Sequence, residues 1–263
     1  SKKLEIFSPT MVEWGWEEFA TPTYIESHID ESRLQRHAGE MVLVSTFRLP
    51  TLIHTRSANS KWLTELSNSN PVWIHPQDAA RLGIAIGDLI RVATRTGYYV
   101  NAAWVTEGIR PGVIACSHHL GRWAVQADQV TGNRWQVHDV DLRKTSDTAY
   151  LMRRTTTVAP HQSSDKDAQK VWWTSGGVHQ NFTFPVQPDP ISGMHCWHQK
   201  VTVTKAEPGD RYGDVFVDTK KSMEVFEEWL ARTKPAGEHG PDNLRRPLHF
   251  KRVCRPTDAA YKL

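Results

Sequence analysis

Cysteine is scarce: Cys116, Cys196 and Cys254 are the only three in 263 residues, and no CxxC pair occurs. That spacing cannot build a disulfide framework, and it says nothing about compartment, periplasmic or cytoplasmic. Cys116-x-His118-His119 and His195-Cys196-x-His198 match no standard zinc pattern, so no metal ligands are assigned. No apolar run approaches the roughly 20 residues of a membrane span. There is no P-loop, no GxGxxG after a strand, no HExxH and no GxSxG, and no nucleophile–base pair can be placed. No catalytic residue is therefore assigned, and a self-sufficient hydrolase is set aside. Neither sign of charge dominates: Lys and Arg number 32 and Asp and Glu 29, for a net charge of +3. This mild basicity favours an anionic ligand or partner but falls short of a nucleic-acid footprint. The opening SKKLEIFSPT reads like the middle of a strand rather than a leader, so the chain is expected to continue from another part of a longer protein.

What is present is a globular composition, 39% hydrophobic and 23% charged, arranged around the stretch RLPTLIHTRSANSKWLTEL from Arg48 to Leu66. A β-rich run, Val42 to Phe47, precedes it. A polar loop with His54, Thr55, Arg56, Ser57 and Asn59 then leads into a short amphipathic helix, KWLTEL. Hydroxyls, amides and an Arg between a strand and a helix start suit phosphate, because free helix N–H groups and a guanidinium fork both favour anions.

The remainder reads as short strands broken by one- or two-turn helices. Lys3 to Phe7 is a candidate strand, and the aromatic segment VEWGWEEFATPTYIES is expected to be packed coil. PVWIH is a strand. HPQDAARLG is a short helix with Pro76 at its start, Asp78 in its first turn and Gly83 as its C-cap. LIRVAT and YYVNAAWVT form a hairpin about Arg95-Thr96-Gly97, and VIAC is a further strand. HQKVTVTK can close the sheet, and SMEVFEEWLART is a helix expected to pack through Met223, Phe226, Trp229 and Leu230. Residues 124–170 are polar with little periodicity and are expected to be a long, partner-facing surface excursion. Short strands with short helices favour a small closed or interlaced barrel over a doubly wound sheet, which needs longer crossover helices. The eleven tryptophans are expected to cover apolar surface at a domain interface.

Donors concentrate in three loops: 55–59, Cys116 to Trp123 (CSHHLGRW) and Gly176 to Thr183 (GGVHQNFT), the last running on to DPISG. Glycine allows close backbone approach to a ligand, and the two-sided amide of Asn can read the edge of a heterocycle. Each loop alone is also what an ordinary turn looks like.

Taken in order, HTRSANSKWLTEL, NPVWIHPQDAARLGIAIGDLIRVATRTG, VTEGIRPGVIACSHHLGRW and QNFTFPVQPDPISG with its closing KVTVTK resemble the C-terminal domain of the molybdopterin oxidoreductases, the dimethyl sulfoxide reductase family. The match runs from Arg48 to Lys205, omitting the excursion. The opening LEIFSPT…WEEFATPTY looks most like the thiosulfate, polysulfide and arsenate reductase branch. The resemblance implies mixed β structure with short helices: a double-psi-type six-stranded β-barrel carrying the excursion, a C-terminal helix and a tail. It implies an N-terminal packing segment over 1–40, the barrel domain over 41–263 and a C-terminal extension from about 207. The implied cofactor is molybdopterin guanine dinucleotide with Mo or W, bound fully only with the remaining domains. His54, Thr55, Arg56, Ser57 and Asn59 would take its phosphates or nucleotide. His118, His119 and Gly121 would line the pterin side, Asn181 and Phe182 would bond or pack on the pterin, and Asn70 of the Asn-Pro strand joins the binding set. The family's iron–sulfur cysteines and metal-ligating residue lie in N-terminal domains, and no counterpart occurs here. The chain is thus expected to bind cofactor without turnover alone, with the rest of the oxidoreductase as partner and an electron-transfer subunit as a further candidate. The alternative is a double-psi-barrel adaptor module without cofactor.

Overall fold

The computed structural model describes residues 4, 6–47, 49, 63, 66, 70–118, 121, 123–125, 138–154, 177–189 and 192–233. Among them the strands are β1 (Glu40–Val44), β2 (Val72–Ile74), β3 (Leu89–Ala93), β4 (Gly97–Val105), β5 (Val113–Ala115), β6 (Trp123–Val125), β7 (His138–Lys144), β8 (Ala149–Arg154), β9 (Gln199–Lys205) and β10 (Val215–Asp218). The helices are α1 (Pro9–Glu13), α2 (Pro76–Leu82) and α3 (Thr219–Ala231).

Six strands close a barrel in the order β2-β5-β1-β9-β3-β4, with β4 returning to β2. The pairs β1–β5 and β2–β4 are parallel. The pairs β2–β5, β1–β9, β9–β3 and β3–β4 are antiparallel. This is the double-psi-type barrel anticipated above. So small a ring leaves an interior that side chains fill. The period-two alternation turns Met41 and Leu43, Val72 and Ile74, Ile90 and Val92, Ile114, Val201 and Val203 inward, each at most 2% exposed. Strand β4 is long enough to serve two sheets. Ala103 to Val105 pair with β2, while Gly97 to Tyr99 pair with β10, which continues the sheet outward through β8, β7 and β6.

Helix α2 forms where expected, with the His75 Nδ1 accepting from Gln77 N at 3.2 Å and Gly83 closing it. Asp78 does more than favour the helix start. It is buried and accepts from Gly112 N at 2.6 Å and Arg81 Nη2 at 2.7 Å, fastening α2 to the approach to β5.

Several expectations are corrected. Ile6 and Phe7 are not in a strand, and the chain turns from them into α1. Helix α3 buries Val225 and Trp229, while Met223 and Leu230, expected on the packing face, are 55% and 44% exposed. The excursion is not loop throughout, since β7 and β8 form a hairpin within it and β8 pairs with β10. Strand β10 itself was not anticipated. Of the KWLTEL helix only Leu63 and Leu66 are described, both helical. The rest of that helix, residues 126–137 and 155–176 of the excursion, and the tail from 234 lie outside the described residues.

Candidate functional site

Strand direction decides where the loops meet. Register pairs Val44 with Ala115, Trp73 with Ala115 and Leu43 with Gln199. The exits of β1 and β5 and the entries of β2 and β9 therefore share one rim of the barrel. The turn between β3 and β4 approaches the same rim, because Ala93 pairs with Thr202.

Side chains knot these segments together. Asn70, fully buried, donates from Nδ2 to Ser117 O at 2.5 Å and accepts from Ser117 N at Oδ1, 3.0 Å away. Its own carbonyl accepts from Asn101 Nδ2 at 2.9 Å. The amide is thus spent inside the protein, on the second residue of the second loop. His118 follows, with its N–H donating to Ser45 O at 3.3 Å and its Nδ1 lying 2.8 Å from the same oxygen. Ser45 in turn donates from Oγ to Trp197 O at 2.9 Å. Beneath them Cys116 is fully buried, and burial pushes its thiol up to about 12, so it stays protonated and unreactive.

The third loop is pinned at three points. Arg154 donates to Gly177 O. Gln180 Nε2 donates to Cys116 O at 2.7 Å. Thr94 and Thr96 both donate from Oγ1 to Thr183 O, the latter at 2.9 Å. Between the last two pins a 3-10 turn, Gln180–Thr183, carries Asn181 and Phe182. Phe182 is 45% exposed and lies 4.6 Å from the His179 ring, whose pKa burial lowers. Gly121 completes the junction. Its φ is +95°, and a Cβ there would lie 2.2 Å from Val178 C and 2.3 Å from His179 N, so the second loop touches the third at backbone distance.

Of the residues singled out in the sequence, His118, Gly121, Asn181 and Phe182 come together here, and Asn70 lies beneath them. His54, Thr55, Arg56, Ser57, Asn59 and His119 lie outside the described residues. Sequence reading missed Gln180, Thr94, Thr96, Asn101 and Arg154, because each acts through a contact distant in sequence. Among the described residues no three His, Cys, Asp or Glu side chains gather as metal ligands. No helix there is long and apolar enough to cross a membrane.

The residues fit a heterocyclic ligand. Among the described residues the side-chain oxygens of Gln180 and Asn181 are buried without a hydrogen-bond partner, and half-buried Asn181 can turn its oxygen to an N–H group of a ring edge. A closed barrel that gathers acceptors, an exposed aromatic and a close-packed glycine at one rim belongs to the class of ligand-gripping barrels. The molydopterin dinucleotide binding domain family matches residues 42–199, and the chain belongs to that family. Over 127 residues it is 30% identical to a trimethylamine-N-oxide reductase of Haemophilus influenzae, covering 47% of this chain and 15% of that protein. It is 32% identical over 116 residues to the thiosulfate reductase molybdopterin-containing subunit PhsA of Salmonella typhimurium, covering 43% and 14%. An arsenate respiratory reductase molybdopterin-containing subunit of Shewanella sp. is 32% identical over 77 residues, covering 26% and 9%. The chain therefore spans a small part of each relative's length.

Proposed function

We propose that this chain is the portion of a molybdenum or tungsten oxidoreductase that grips molybdopterin guanine dinucleotide, with the remaining domains enclosing the rest of the cofactor. The observation that supports it best is the pinned third loop, which offers the unbonded Asn181 oxygen and the Phe182 ring beside Gly121. Asn181 accepts from ring N–H groups with Gln180 buried behind it, Phe182 lies against a flat face, and His118 borders the same rim. Asn70 positions the second loop through Ser117 without needing to touch ligand. The bound metal dithiolene supplies the redox chemistry; this chain's residues hold and orient it. An adaptor barrel without cofactor has no use for a buried acceptor left open at the rim. The family membership does not favour it either.

Calorimetry with GDP, the guanine nucleotide half of the cofactor, tests the reading. A weak saturable heat at millimolar ligand is expected, because the remaining domains would bury the rest of the cofactor. No heat at that concentration would overturn it.

A further inference from the structure

Arg154 is the last residue of β8 and stands where the second and third loops meet. It lines a small cleft with Gly121, Met152, His179 and Gly213. Its guanidinium lies 4.8 Å above the Tyr212 ring and donates through Nη2 to Gly177 O. Gly213 makes room for it: with φ +90°, a Cβ there would come within 2.3 Å of Arg154 Nε. The other arginines drawn into the protein each hold a carboxylate. Arg81 holds Asp78 at 2.7 Å, Arg91 holds Asp210 at 2.7 Å, and Arg153 holds Asp214 at 2.8 Å. Arg154 holds none among the described residues. The acid whose field reaches it, Asp214, is already committed to Arg153.

A guanidinium has five N–H donors and stays charged in proteins. Here one donor meets a peptide carbonyl, and Tyr212 takes a further hydrogen bond while its ring covers part of the plane. Withdrawing a cation from water without a counterion is costly, and burial disfavours its charged form. A fold that opens a glycine gap for such a group gains from it only when an anion arrives. Arginine is well suited to that anion being a phosphate, because its planar fork matches two oxygens at once.

We propose that Arg154 is an anion anchor of this cleft, taking a phosphate-ester or pyrophosphate oxygen of the dinucleotide at the junction of the second and third loops. The identity of that anion rests on the cofactor reading above; the anchor itself rests on a guanidinium that meets no carboxylate among the described residues. It adds to the binding set a residue from within the polar excursion. That hairpin thereby becomes part of the ligand's enclosure.

The test is a titration of the nitrogen-15-labelled chain with inorganic pyrophosphate, following the arginine Nε–H resonances. The Arg154 signal, identified by its loss in Arg154→Met, should shift saturably in the wild type. Pyrophosphate affinity should fall about tenfold or more in Arg154→Met and by less in Arg154→Lys, which keeps a point charge without the fork. Neutral guanosine should bind wild type and Arg154→Met alike. An unmoved Arg154 signal, or equal pyrophosphate binding by wild type and Arg154→Met, overturns the proposal. So does a parallel loss of guanosine and pyrophosphate, since Arg154 would then only hold the third loop through Gly177. Pyrophosphate held at Arg154 with no binding of GDP would sink the dinucleotide reading and leave the anchor standing. GDP bound equally by wild type and Arg154→Met would do the reverse.

Discussion

At the scale of the residue, the rim is governed by contacts that leave no freedom for substitution. Gly121→Ala places a methyl group into the Val178–His179 peptide at a positive φ. The expected cost is roughly 2–3 kcal/mol of stability, from strained backbone and a forced shift of the third loop. Urea denaturation measures it, and a loss under 0.5 kcal/mol, roughly that of a surface change, would show that the loops do not meet as described. Asn70→Ala strands both Ser117 N and Ser117 O in a buried setting. About 2–4 kcal/mol should be lost, with Asn70→Asp recovering only the bond accepted from Ser117 N. Gly121 and Asn181 were legible in the sequence as motif positions. That Asn70 bonds inward rather than toward a ligand was not, because its partner lies 47 residues away.

At the scale of the element, the β7–β8 hairpin decides how the outer sheet joins the barrel. The Arg153–Asp214 pair, with side chains 17% and 2% exposed, ties β8 to the turn before β10. Asp214→Ala leaves a half-buried guanidinium uncompensated and should cost about 2–4 kcal/mol by chemical denaturation. Removing Glu207, 65% exposed in its contact with Arg91, should cost about 1 kcal/mol at most. A reversed ranking would mean that the hairpin is not docked on β10. The N-terminal segment is fastened differently. His28 lies edge-on to Trp229 of α3 at 5.1 Å, and its Nε2 is 3.0 Å from His198 O. Burial holds its pKa below the ordinary value. The unfolded chain takes up this proton near pH 6.5, where folded His28 is still neutral, so stability falls as pH drops from about 6.5 toward the folded value. His28→Phe keeps the ring contact and should flatten part of that slope. His179 and His195, whose pKa values burial also lowers, leave a remainder. Urea midpoints measured from about pH 7 to pH 5 decide it. The hairpin had a faint signal in Val140 and Leu142 at strand period, then Tyr150 and Met152. Charged neighbours and the 54% exposure of Leu142 explain why it reads as loop.

At the scale of the whole molecule, Cys116 reports on the barrel as a unit. It is fully buried, and its thiol is held protonated up to about 12. Thiol labelling near neutral pH should therefore modify half-buried Cys196 before Cys116. Cys116 should react only through global opening, at a rate that rises with denaturant in step with unfolding. Fast labelling of Cys116 in native buffer would mean that the rim opens independently of the barrel. The sheet gives the complementary expectation: amides of β1, β3 and β9, each paired on both sides, should exchange last, and those of the edge strand β6 sooner.

The order of short alternating strands, the cap residues of α2 and the spacing of the rim motifs follow from local sequence. Side-chain period, glycine and proline chemistry and composition act over a few residues and need no partner to be read. Barrel closure, the buried face of α3, the docking of the hairpin and the surroundings of Arg154 depend on which strand lies beside which. They are set by packing and by charge pairing between residues far apart in the chain, and only the tertiary structure brings those partners within reach.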